Sequence, residues 1–335
     1  MDIQYSLYNS IISKPPIFIA EIGGNHNGDV VLAQKMIDAA ISSGAQIIKF
    51  QTYSMSDFVS KDHISYDVFA QENLTYEEFA GLANYCKQKN VIFLSTPFDE
   101  KSVDFLDDLG IPAFKIASGD LTHIKLIRYI AKKDKPIFLS TGASTWQMID
   151  EAVNSITNLT NSQLALLHCV AAYPAPDNET NLSLINELQN RYGKTTGFSD
   201  HSLGIDVSLA AIALGAQIIE KHFTIDRSLP GGDNDISILP NELKQMIDSA
   251  NRIILAIGSC ERTPTDSEME IENLIRRGLI VTKSLKTGDV LSLGDISAVR
   301  PIIGIPANEI DNIVGKYINK DLKEMSPIQW DDISN

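Results

Sequence analysis

Eight short apolar runs, each followed by a segment of helical period, fill residues 16–257 and leave few topologies open. The runs fall at 16–23, 45–52, 91–98, 113–118, 136–142, 164–170, 195–201 and 216–224. They are continuous rather than alternating, as strands buried on both faces are. Helical segments follow at 29–43, 75–90, 99–110, 123–135, 144–159, 181–193, 204–215 and 241–257. Asp29 and the pair Thr75/Glu78 supply caps, and Gly44 a terminator. The span approaches the ~250 residues of a (β/α)8 TIM barrel. A doubly wound sheet alternates in the same way, but no Gly-x-Gly-x-x-Gly turn follows the first run. The chain repeats itself once: Gly44-Ala-Gln-Ile-Ile-Lys49 and Gly215-Ala-Gln-Ile-Ile-Glu220 both join a helix end to a strand.

The barrel is thus expected over 1–258. Residues 259–277 turn polar and read as a linker, and 278–335 read as a small β-rich domain of short runs and turn residues. The segment from Tyr53 to Leu74 reads as a long loop, suited to a lid or a substrate loop. With 28 basic and 43 acidic residues the net charge is −15, which argues against nucleic acid and anionic membranes as partners. Cys86, Cys169 and Cys260 form no metal or disulfide pattern, so a reducing, cytoplasmic setting is expected. Neither a secretory leader nor an apolar run of about 18 residues is seen.

In a barrel the working residues stand at the C-terminal ends of the strands. Glu21, Asn25, His26 and Asn27 follow the first run; Lys49 and Gln51 share a face of the second. Ser95, Thr96, Lys115, Ser118, Ser140, Thr141 and His168 come next. Ser199 and His201, then Glu220 and His222, lie two apart and so point together. If their strands are neighbours, the two imidazoles project from one sheet end, where a divalent metal could be held. Two imidazoles are too few for a closed zinc site and suit a catalytic cation with open positions. Two lysines and several hydroxyls converging on the mouth make a cradle for a phosphate ester. The alternative is that Lys49 and Lys115 snorkel outward or pair with Glu21, Glu220 or Asp120. His26, His63, His123 and His168 read as structural or surface residues.

Taken together, the motifs closely resemble the sialic acid synthase family. They are Ala20-Glu-Ile-Gly-Gly-Asn-His-Asn-Gly28, Lys49-Phe-Gln-Thr52, Ser95-Thr-Pro-Phe98, Lys115-Ile-Ala-Ser-Gly119, Ser140-Thr-Gly142, Leu167-His-Cys169, Tyr173-Pro-Ala-Pro176, Gly197-Phe-Ser-Asp-His201, Glu220-Lys-His-Phe-Thr224 and Arg300-Pro301. The resemblance implies an antifreeze-like (SAF-type) domain at 278–335 and a domain-exchanged homodimer. It also implies metal-dependent condensation of phosphoenolpyruvate with an N-acyl amino sugar, with Mn2+ first and Co2+, Mg2+ or Zn2+ as alternatives. Carried over by motif, His201 and His222 would ligate the metal. Lys49, Thr96, Lys115, Ser118, Ser140 and Ser199 would hold phosphoenolpyruvate. Glu21, Gln51, Tyr173 and Asp233 would face the acceptor, and Arg300 would reach it from the other subunit. Glu21, Lys49 and Lys115 are the expected catalytic groups. Two departures stand out: Ala171 occupies the place of an asparagine, and Asp120 that of a glutamate. The 170–176 loop and the terminal Gln329-Trp-Asp-Asp-Ile333 look more like the spore-coat polysaccharide branch. A Schiff-base aldolase and a non-catalytic sugar-binding barrel are the rival readings.

Overall fold

The computed structural model describes residues 8, 9 and 12–335 and divides at Gly258/Ser259 into two compact units. The first unit holds eight parallel strands: β1 (Ile17–Glu21), β2 (Ile47–Thr52), β3 (Ile92–Pro97), β4 (Phe114–Ile116), β5 (Ile137–Ser140), β6 (Leu164–Cys169), β7 (Thr195–Asp200) and β8 (Ile218–His222). Their hydrogen-bonded order is β3-β2-β1-β8-β7-β6-β5-β4, and β3 and β4 lie side by side, closing a TIM-like barrel without a ladder between them. Helices α1 (Val30–Ser42), α4 (Tyr76–Gln88), α5 (Glu100–Asp108), α6 (Ile124–Ala131), α7 (Trp146–Thr157), α8 (Leu184–Tyr192), α9 (Asp206–Ala213) and α10 (Pro240–Ile257) surround it.

Strand parity sorts the core into two concentric shells. Ile17, Ile19, Ile47, Leu94, Phe138, Leu167 and Ile218 fill the barrel, whereas Phe18, Ile48, Phe93, Leu139 and Ile219 pack outward against the helices. Residues between the apolar inner layers and the strand ends are then the ones aimed at the mouth.

Two segments depart from the sequence reading. The stretch 53–74 is not a structureless loop: it contains α2 (Met55–Phe58) and α3 (Tyr66–Glu72). Tyr53, Phe58, Phe69 and Phe98 pack ring on ring there, with Tyr53 and Phe58 centroids 4.3 Å apart. The span 259–277 contains α11 (Asp266–Ile275), opened by a Thr265/Glu268 capping box and without a buried residue. In the second unit β9 (Gly278–Val281) pairs antiparallel with β10 (Ile296–Val299), and β11 (Tyr317–Ile318) with β12 (Ile333–Ser334). Its core gathers Leu279, Val281, Leu291, Ile305, Ile318 and Ile328. No described helix is long and apolar enough to cross a membrane.

Candidate active site

The end of β1 places Glu21 between Lys49 of β2 and His222 of β8. In register, Glu21 pairs with Lys49 on β2, while Ser199 of β7 pairs with Glu220 on β8. Lys49 Nζ lies 2.9 Å from Glu21 Oε2, 3.2 Å from Thr96 Oγ1 and 3.7 Å from Glu220 Oε2. Lys115 Nζ donates to Ser140 Oγ (2.7 Å) and to the Ile116 carbonyl (2.9 Å), and stands 3.8 Å from Glu220 Oε1. Ser199 Oγ donates to the same Glu220 oxygen at 2.9 Å, and Gln51 Nε2 donates to Glu21 Oε1 at 3.2 Å. Both lysines are turned inward and almost wholly buried, at 4 % and 2 % exposure. They pair with carboxylates, as the alternative sequence reading allowed. Glu220, which the sequence reading placed at a strand end without a binding or catalytic role, is the hub that bridges them.

Electrostatics separates the two cations. Burial opposes the charge on Lys49, but Glu21 and Glu220 outweigh it and its pKa is raised. Burial also opposes Lys115; Glu220 pulls the other way, Lys49 adds to the burial effect, and the net shift is down. Glu220 is held as a carboxylate because Lys115, Lys49 and the Ser199 hydroxyl outweigh its own burial.

The two predicted metal ligands come together. His201, just beyond β7, and His222, at the end of β8, have ring centroids 5.4 Å apart. Val170 O lies 2.8 Å from His201 Nδ1 and can only accept, so Nδ1 carries the proton and Nε2 keeps a free lone pair. Burial first, and His222 second, pull the His201 pKa down to about 4, so the ring is neutral near pH 7. His222 Nδ1 is buried without a hydrogen-bond partner, its nearest anion being Asp233 Oδ2 at 3.4 Å. A buried nitrogen left this way costs free energy unless a ligand takes it up. Among the described residues no group of three or more His, Cys, Asp or Glu side chains is gathered as a metal site. The candidate donors are therefore the two imidazoles. Tyr173 leans over it, its ring centroid 4.1 Å from that of His201.

On the outer face Asp200 and Lys221, one residue before each histidine, form a buried ion pair at 2.7 Å. Asp200 Oδ1 also accepts from the Ser202 N–H and hydroxyl, which fixes the turn carrying His201. Other predicted polar residues face away from the mouth. Ser95 Oγ bonds Thr52 Oγ1 at 2.7 Å, the His26 ring tilts against Phe50, and His168 stacks on Phe198 with Nε2 2.6 Å from the Thr180 carbonyl. His63 accepts from Ser65 N–H, and His123 caps α6. Ser118 lies in the turn after β4, where its hydroxyl accepts from Gly142 N–H at 2.9 Å. Asp120 closes that turn, and burial pushes its pKa up to about 6 against the pull of His123 and Lys115. Asn25 ties the β1 and β8 loops together, donating to the Phe223 carbonyl and Ser237 Oγ and accepting from Asp233 N–H. Arg300 is an exposed residue of the second unit.

The sequence model of the NeuB family matches residues 36–262, and that of the SAF domain matches 276–334. The N,N'-diacetyllegionaminic acid synthase of Campylobacter jejuni is 38% identical over 327 residues, covering 93% of this chain and 98% of that protein. The spore coat polysaccharide biosynthesis protein SpsE of Bacillus subtilis is 35% identical, covering 98% and 97%. The crystal structure of the N-acetylneuraminic acid synthetase of Leptospira borgpetersenii superposes with a TM-score of 0.74 at 37% identity, covering 77% of this chain and 90% of that one. With the family model spanning most of the barrel and full-length relatives above 30% identity, the chain belongs to the NeuB family of enzymes and carries an SAF domain at its C-terminal end.

Proposed function

We propose that this enzyme condenses phosphoenolpyruvate with an N-acyl aldose, N-acetylmannosamine or a diacetamido-dideoxy relative, and releases phosphate. The observation that carries the reading is the junction of two features at one mouth. Lys49 and Lys115 meet through Glu220, and the His201/His222 pair stands on the adjoining strands β7 and β8. An incoming phosphate and carboxylate would exchange for Glu21 and Glu220 as partners of the two ammonium groups, with Thr96, Ser118, Ser140 and Ser199 as directional donors. A divalent cation on His201 and His222, Mn2+ by preference, would supply Lewis acidity toward the acceptor aldehyde. The methylene carbon of phosphoenolpyruvate attacks that aldehyde carbon; water adds at the former enol carbon, and phosphate leaves with its bridging oxygen. Glu21, released from Lys49 but still held by Gln51, would orient the water or take its proton. Gln51, Tyr173 and Asp233 line the acceptor side.

We assign the working form to a cytoplasmic homodimer in which Arg300 of one subunit reaches the acceptor in the other. Support comes from α11, where Met269, Ile271, Leu274 and Ile275 are 46–64 % exposed, an apolar surface that a second copy would cover. The cysteines are all unpaired, as in a reducing compartment. Phosphate release from phosphoenolpyruvate, measured across a panel of N-acyl hexoses, tests the reading. Release should require one of these sugars, stop with EDTA and return with Mn2+. Activity that survives thorough chelation and is trapped by borohydride would instead mark an imine on a lysine.

A further inference from the structure

The last turn of α3 sits in a seat made of glycines, and the seat belongs to the loops after β1 and β8. A Cβ on Gly24 would come within 2.1 Å of Glu72 Oε2, and one on Gly28 within 2.3 Å of the Gln71 carbonyl oxygen. A Cβ on Gly231 would lie 3.1 Å from Glu72 Oε1. Glycines of the Gly-Gly-Asn-His-Asn-Gly run after β1 and of the Pro-Gly-Gly-Asp run after β8 thus leave room together for the last turn of α3 and its Glu72 side chain.

Glu72 is 6 % exposed, its Oε1 has no hydrogen-bond partner, and burial pushes its pKa up to about 7 against the pull of the Gly232 N–H. Asp233, the next residue, repels it. A leucine or methionine would fill such a seat without the cost of burying a poorly compensated carboxylate. What a leucine cannot do is offer an oxygen to the Gly231–Gly232 turn. The same turn is held from its other side by Asn25 Oδ1, which accepts from Asp233 N–H at 3.0 Å. The Gly231–Asp233 turn is therefore gripped between the β1 loop and the end of α3.

We infer that Glu72 is a positioning residue for the acceptor side of the site: through its contact with Gly231 it fixes the turn that presents Asp233, and so makes segment 53–74 part of acceptor selection. The inference rests on the acceptor role proposed for Asp233. Segment 53–74 also carries the aromatic cluster of Tyr53, Phe58 and Phe69, which anchors it on Phe98 of the β3 exit. The carboxylate thus hangs from a fixed base rather than from a free loop.

Steady-state kinetics on Glu72→Ala, Glu72→Gln and Asp233→Ala, with phosphoenolpyruvate and the best-used sugar of the panel, provide the test. Glu72→Ala should raise the acceptor KM about tenfold and leave kcat and the phosphoenolpyruvate KM within about twofold. Glu72→Gln keeps an oxygen for the Gly231–Gly232 turn and should stay within about threefold of the parent throughout. A general loosening of the fold would move both KM values and would not be rescued by glutamine. Should Glu72→Ala not fold, Glu72→Asp decides: it keeps the charge but withdraws it by one methylene, and its acceptor KM should rise severalfold. A raised acceptor KM in Asp233→Ala with an unchanged one in the Glu72 variants overturns the inference alone. An unchanged acceptor KM in Asp233→Ala removes the acceptor reading itself, and the inference with it.

Discussion

The joints at 44–49 and 215–220 share five residues and nearly one backbone, yet end in opposite charges. Gly44 and Gly215 both close a helix in the left-handed region, at φ of 100° and 101°. After each, an alanine N–H reaches back to a helix carbonyl at 3.0 Å, Ala45 to Ala40 and Ala216 to Ala211. Five residues beyond the glycine stand Lys49 on β2 and Glu220 on β8, the two strands that flank β1 and its Glu21. The barrel repeats a position and leaves the chemistry to one side chain. A cation on one flank and an anion on the other let a buried charge cluster balance itself, where two lysines or two glutamates would not.

Replacing each end of that comparison in turn should have the largest effect. Lys49→Met strips the cradle of the ammonium group bonded to Glu21 and Thr96, and should lower kcat/KM for phosphoenolpyruvate by about 10²–10³. Glu220→Gln leaves both ammonium groups in place and keeps an oxygen for Ser199, so a loss nearer tenfold is expected. Equal losses would mean that Glu220 touches substrate rather than setting the lysines.

Next in size come the glycines. Alanine at either joint must adopt a positive φ, a strain of about 1–2 kcal/mol. At Gly44 the new Cβ would also press on Ile247 Cδ1 at 3.3 Å, whereas at Gly215 the nearest atom is 3.7 Å away. Denaturant unfolding should therefore find Gly44→Ala the less stable of the two, and the reverse order would show that the joints differ in ways their backbones hide. The smallest effect separates the lysines. Both are buried, but Lys49 is held protonated while Lys115 is shifted down, so cyanate near pH 8 should carbamylate Lys115 severalfold faster. Peptide mapping by mass spectrometry reads the ratio, and faster labelling of Lys49 would reverse the electrostatic assignment.

Much of this arrangement was legible in the chain because strand parity is local. Ser199 with His201 and Glu220 with His222 share a face by spacing alone, and so do Lys49 and Gln51. The same parity, applied to Thr96, would have turned Ser95 outward toward Thr52, where it lies. What spacing could not give is register between strands. Glu220 becomes the hub only because Ser199 lies opposite it and Lys49 two strands away. Glu72 reaches the mouth from a helix of seven residues, too short to show a period. Polar composition hid α11, although Thr265 and Glu268 already spelled a capping box.

The proposed sharing of one divalent cation by His201 and His222, beside the lysine cradle, can be read by calorimetric titration with Mn2+. The parent chain should bind one ion per subunit, and His222→Ala, folded by circular dichroism, should bind none. Undiminished binding in that variant, or no binding by the parent, would contradict the account.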